Sequence, residues 1–144
     1  DILRQHYKTA PFFKQYAPLL QSFYQRHDEF LADFTIDLTI ALARELGIQT
    51  EFMRSSALDA QGTKTDRLVE ILTKVGATHY ISGPSAKDYL EEEKLAAAGI
   101  SLEYIVYDYP EYPQLYPPFD PQVSILDLLF MTGPQAPKYI WQHA

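Results

Sequence analysis

The residues of this chain whose types and spacing suit chemistry fall into four groups: Arg54, Ser55 and Ser56; Lys64 and Arg67; Ser82, Gly83, Pro84 and Ser85; and Asp108 with Tyr109. Arginine and lysine hold anionic groups, the guanidinium through a planar fork that matches carboxylate or phosphate. A Ser-Gly turn that runs straight into a helix presents free amides, and the positive end of the helix dipole, to an anion. Asp108 is placed to act as a general base at the end of a strand. Tyr109, with Tyr107, Tyr112 and Tyr116, has rings that either line a pocket for a sugar or nucleotide or pin a loop to the core. The competing role for Ser85, Asp66, Ser124 and Asp127 is helix capping. Arg54 suits a bound anion and an internal carboxylate equally.

Several other chemistries lack their residues. The chain has no cysteine, so a thiol nucleophile, a disulfide framework and a Cys-ligated metal are all excluded. His6, His27, His79 and His143 are scattered without His-x-x-x-His or Glu-x-x-His spacing, so no metal site is expected, and His79 reads as a core-edge or surface residue at a strand start. No Gly-x-Ser-x-Gly elbow, P-loop or Gly-x-Gly-x-x-Gly fingerprint occurs, the cofactor stays unknown, and Ser55, Ser56 and Ser82 have no placed base. With 12 basic against 19 acidic side chains and a net charge of -7, the domain offers no field for a nucleic-acid backbone. The apolar runs fall short of the ~20 residues of a membrane span, and the start at Asp1 carries no signal peptide, so a cytoplasmic domain is expected, one that reads as part of something longer.

The elements that must position these residues follow from periodicity. Phe12, Phe13, Tyr16, Leu19, Leu20, Phe23 and Tyr24 form one helical stripe, with Pro11 in its first turn and Pro18 as a kink. Phe30, Phe34, Leu38, Leu42 and Leu46 form a second, which Gly47 stops. From residue 48 the rhythm becomes strand 48–54, helix 64–75, strand 79–82, helix 86–98 and strand 100–107, an α/β fold with a Rossmann-like β-α-β-α-β parallel sheet. Thr63 with Asp66, Ser85 with Asp88, and Ser124 with Asp127 have capping-box spacing, and Gly76, Gly99 and Gly133 close the same three helices. Five of the ten prolines lie in 108–123, which predicts an ordered loop over the body of the domain. Short helices at 125–132 and around 137–141 end the chain. The expected organisation is one domain: helices over 1–47, the β-α-β-α-β unit over 48–107, and loop plus short helices over 108–144. Ligands of such a sheet bind beyond the carboxyl ends of its strands, where Arg54–Ser56, Ser82–Ser85 and Asp108–Tyr109 would converge. An exposed sheet edge offers a surface for self-association.

Specific strings then line up with a known family. Arg54-Ser55-Ser56, Thr65-Asp66-Arg67-Leu68, the run from Gly76 to Ser85 with Tyr89-Leu90, and Gly99-Ile100 resemble the WbqC-like family in order and spacing. So do Tyr7-Lys8 to Pro11-Phe12-Phe13, Tyr112-Pro113-Gln114, Phe119-Asp120-Pro121 and, most specifically, Ser124-Ile125-Leu126-Asp127-Leu128-Leu129-Phe130 before Gly133. The resemblance covers nearly the whole chain and places it as the C-terminal portion of such a protein, since a Gln-Pro-x-Tyr-x-Pro-Trp type motif has no counterpart here. It implies a role in bacterial surface-polysaccharide (O-antigen) biosynthesis, with transfer of an acyl or aminoacyl group onto an amino sugar or nucleotide-sugar. Arg54, Ser55, Ser56, Lys64, Arg67, Ser82, Gly83 and Ser85 would then hold the anionic ligand, and Asp108 and Tyr109 would act on the acceptor. The alternatives are a non-catalytic ligand- or protein-binding domain of the same pathway, or an inactive fragment.

Overall fold

In a computed structural model, which describes residues 2–141, helices α1 (Ile2–Tyr7), α2 (Phe13–Tyr24) and α3 (Leu31–Glu45) come first. They are followed by α4 (Lys64–Lys74), strand β1 (His79–Ser82), α5 (Glu92–Ala97), strand β2 (Ser101–Tyr104), α6 (Ile125–Thr132) and α7 (Ala136–Ile140). The chain divides into two compact units, one of residues 1–50 and 109–144, the other of 51–108. No helix among the described residues is long and apolar enough to cross a membrane.

Among the described residues, the regular elements of the first unit are helices. Its centre is α6, whose Ser-Ile-Leu-Asp-Leu-Leu-Phe run is apolar nearly all round, as a helix must be when neighbours cover every side. Phe130 is fully buried, with the Tyr7 and Phe13 rings each 5.1 Å away. Tyr16 and Leu20 from α2, Leu46 after α3, and Ala136 from α7 complete this core. Gly133 ends α6 at φ +55, where a Cβ would collide with the Phe12 ring, so only glycine fits. α1 has no counterpart among the helices expected from the sequence, α2 and α3 lie where their stripes predict, and α6 covers the short helix expected at 125–132. The segment after Tyr109 forms no helix or strand until α6. Tyr112 pins it, packing 5.3 Å from Phe119 and 5.8 Å from Tyr139, whereas Tyr109 and Tyr116 stay exposed.

The second unit is a small β-α-β layer. β1 and β2 pair in parallel, His79 opposite Ser101 and Ser82 opposite Tyr104, with Ile105 N–H extending the ladder to the Ser82 carbonyl at 2.9 Å. Leu72 from α4, Leu95 from α5 and Ile100 before β2 make the core, joined by Tyr80 on the sheet's covered face. The strands alternate, with His79 and Ile81 exposed between Tyr80 and Ser82, and Ser101 and Glu103 exposed between Leu102 and Tyr104. Strands buried on both faces read as continuous apolar runs, and this alternation gives a sheet with one covered face and one open face.

Three expectations are corrected here. The strand at 48–54 does not form, and the sheet has two strands rather than the three of the expected β-α-β-α-β unit. Ile48 packs in the first unit's core while Phe52 and Met53 stand exposed in the second unit, so the segment is split between two bodies and cannot be one strand. The helix over 86–98 is instead a 3-10 turn, Pro84–Asp88, followed by α5. Glu92 and Glu93 start a helix because carboxylates are stabilised in a first turn and repel one another in a helix interior. The capping boxes are realised only in part. Ser124 Oγ accepts the Leu126 N–H at 3.3 Å, whereas Thr63 makes no side-chain cap and Ser85 lies inside the 3-10 turn. Asp66 pairs with Lys94 Nζ at 2.6 Å, and Asp127 turns into the core.

Candidate functional site

The carboxyl ends of the two strands bring two of the expected loops together. β1 empties into Ser82, Gly83, Pro84 and Ser85, and β2 continues beside it through Ile105 to an exposed Asp108. Ser82 is buried with its hydroxyl 3.4 Å from the Tyr80 hydroxyl, Ser85 is exposed, and Gly83 precedes the 3-10 turn. A turn of this length carries a smaller dipole than the α-helix expected there.

The basic residues sit on α4 and the segment that precedes it. Arg54 leads into a second 3-10 turn, Ser55–Leu58, on which Ser55 and Ser56 are exposed. Because residues 48–54 form no strand, this loop does not lie at a strand's carboxyl end. Arg67 donates from Nη1 to the Ala60 carbonyl at 2.6 Å, and Lys74 Nζ donates to the Leu58 and Asp59 carbonyls at 2.9 and 2.8 Å. Arg67 is thereby committed to holding the loop on α4. Lys64, exposed at φ +51, is the basic residue of this set that projects without such a role, while Arg54 and Tyr109 each have an interaction partner.

A further constellation lies on the open face of the sheet, and no single motif announced it. The pairing of His79 with Ser101 puts Glu103 two residues on along the same face. His79 Nδ1 is 2.7 Å from Ser101 Oγ, and His79 Nε2 is 2.9 Å from Glu103 Oε2. Ser101 Oγ also reaches the Thr78 carbonyl at 3.0 Å. The side chains of His79 and Glu103 are 47% and 58% exposed, so the group is open to solvent and to a reactant. Both strands were legible; the register was not, and only register joins residues 22 and 24 positions apart.

The first unit carries a buried polar cluster of its own. Asp127, 5% exposed, accepts on Oδ2 from the Tyr112 hydroxyl at 2.8 Å and from Gln114 Nε2 at 3.0 Å, and it is also hydrogen-bonded to Tyr7. Burial and this carboxylate push the Tyr7 hydroxyl up to about 12 and raise Tyr112 further. A raised acid binds protons more tightly folded than unfolded, so its stabilisation is complete below pH 10 and is lost as pH climbs from 10 through 12. Thermal denaturation between pH 9 and about 12 is expected to show the melting temperature falling steeply above pH 10, and less steeply in Tyr7→Phe. Equal slopes for both proteins would refute that linkage. This cluster holds the 109–124 loop to α6 and is structural. Among the described residues, no group of three or more His, Asp or Glu is arranged to hold a metal ion, and His143 lies outside them.

Comparison with known proteins supplies the remaining finding. The profile of the WbqC-like protein family matches residues 1–139. An uncharacterized protein of Mycobacterium tuberculosis (strain ATCC 25618 / H37Rv), Rv1507c, is 36% identical over 141 residues, an alignment that takes in 96% of this chain and 61% of the relative. The chain thus spans less than two thirds of that relative's length. No solved structure matches the chain.

Proposed function

We propose, from the premise that this chain belongs to the WbqC-like protein family, that it serves surface-polysaccharide biosynthesis as part of a transferase moving an acyl or aminoacyl group onto an amino sugar or nucleotide-sugar. The observation that carries the reading is the extent of the family match, residues 1–139. The parallel strands support it, because the Ser82–Ser85 turn and Asp108 stand at the carboxyl end of the sheet, the usual ligand side of such folds. In this reading Arg54 and Lys64 attract the anionic part of the ligand, with Ser55 and Ser56 beside Arg54. Ser82, Gly83 and Ser85 contact a phosphate, Arg67 shapes the loop and adds charge, and Asp108 and Tyr109 orient an acceptor hydroxyl or amine.

The test is a thermal-shift panel of nucleotides, nucleotide-sugars, coenzyme A esters and aminoacyl donors on this chain and on the longer Rv1507c. A ligand that binds only the folded state stabilises it by about 2.7 kcal/mol at a hundredfold excess over Kd. A nucleotide-sugar is expected to shift at least one of the two proteins. Arg54→Ala is expected to abolish the shift while changing intrinsic stability by no more than about 0.5 kcal/mol, since Arg54 is exposed. No shift in either protein would overturn the ligand reading and favour a protein-binding module.

A further inference from the structure

We propose that Ser101, His79 and Glu103 form an acyl-transfer centre on the open face of the sheet, with Ser101 as nucleophile, His79 as its base and Glu103 as the positioning residue for the imidazole. The assignment follows from the order of contacts. Glu103 Oε2 stands 2.9 Å from Nε2, and a carboxylate there favours the tautomer with its proton on that nitrogen, in which the Nδ1 lone pair faces Ser101 Oγ at 2.7 Å. A hydroxyl within hydrogen-bond reach of an imidazole that is itself oriented by a carboxylate is the arrangement that activates serine. The attached nitrogens are exchanged relative to the serine proteases, but the roles depend on which atom faces which. Serine has one proton, and the Thr78 carbonyl at 3.0 Å competes for it, so Nδ1 holds the closer but not the sole claim.

Three structural features place the group. The two strands start just after helices closed by Gly76 and Gly99, which brings His79 and Ser101 into register. Tyr80 packs on the core and Leu102, beside it in register, is half-buried, so the residues on either side of them face outward. Ile81 and Ile105, 55% and 47% exposed, flank the polar group with apolar surface on which an acyl chain can lie.

The steps balance. Ser101 Oγ attacks the carbonyl carbon of an activated ester as its proton passes to His79 Nδ1. The bond to the leaving oxygen breaks, and the leaving group either takes the proton from the imidazolium or departs as the phenolate while the imidazolium gives that proton to solvent, so His79 is neutral again. An incoming amine or water then attacks the acyl-serine, the bond to Oγ breaks, and the proton lost by the nucleophile returns through His79 to Oγ. On an open face, solvent must stabilise the oxyanion, and a single fixed donor is worth about 10²–10³ in rate, so slow turnover on activated esters is expected.

The inference deepens the transferase reading and rests on it for the acyl acceptor. Its test is acetylation of this chain by p-nitrophenyl acetate, followed by p-nitrophenolate release, intact mass and peptide mapping. The expected result is a burst approaching one equivalent with one acetyl group on Ser101, absent in Ser101→Ala and restored on the thiol in Ser101→Cys. His79→Asn should slow acylation by about 10²–10⁴-fold. Glu103→Gln should slow it and shift the nitrogen resonances of His79 toward the other tautomer, which a merely structural role would not do. Acetyl found on His79 or on lysines with Ser101 unmodified, or a full burst in Ser101→Ala, overturns the proposal. Acylated Ser101 without any nucleotide-sugar shift would keep this centre and remove the sugar acceptor; a shift without acylation would do the reverse.

Discussion

Phe130→Ala is expected to cost the helical unit about 3–5 kcal/mol, a large share of the 5–15 kcal/mol that holds a domain folded. The ring is fully buried, Tyr7 and Phe13 lie against it at 5.1 Å, and the carbonyl of the same residue accepts the Phe12 N–H at 2.9 Å. Removing it takes away buried apolar surface and opens a cavity beside the Tyr7 ring of α1 and the Phe13 ring of α2. The single tryptophan, Trp141, follows α7 in the same unit, so its fluorescence in a urea titration reads this unit. The midpoint should fall steeply, while Val106→Ala, at a position 88% exposed in the other unit, should leave it within about 0.5 kcal/mol of the parent. An unchanged midpoint in Phe130→Ala would refute the placement of α6 at the centre.

Asp127→Ala is expected to cost about 3 kcal/mol in the same titration, and Asp127→Asn clearly less. The carboxylate accepts from Tyr112 and Gln114 and is bonded to Tyr7, so alanine strands partly buried donors, at about 1–3 kcal/mol for each that water does not reach. Asparagine keeps one acceptor oxygen. The loss should also flatten the alkaline decline, because Tyr7 is pushed up to about 12 partly by this carboxylate. Tyr7 belongs to both features, with its ring on Phe130 and its hydroxyl on Asp127, so Phe130→Ala and Asp127→Ala should combine non-additively. Additive losses, or asparagine as costly as alanine, would show that the carboxylate does not organise the cluster.

The helical stripes of α2 and α3, the glycine stops and the strands at 79 and 101 are local patterns, and each was legible because burial on one side selects a residue period. The strand expected at 48–54 failed for a reason outside any local window: its ends belong to different units, Ile48 to one core and Phe52 with Met53 to the surface of the other. Asp127 has capping-box spacing, yet it is drawn inward by Tyr112, 15 residues away, and Tyr7, at the other end of the chain. Arg67 shows the same effect in the candidate ligand set, its guanidinium held in place by a hydrogen bond to the Ala60 carbonyl.

The sequence by itself therefore determined the family, through the order and spacing of its specific strings, together with the helices with strong stripes and the residues available for chemistry, since a motif or a period depends only on neighbours along the chain. Tertiary structure alone decided the two-strand register, the partners of Asp127 and Arg67, and the meeting of Ser101, His79 and Glu103. Apart from Arg67, whose partner Ala60 is 7 residues away, those are contacts between residues distant in sequence, and a side chain's partner is set by which groups the fold brings within about 3 Å.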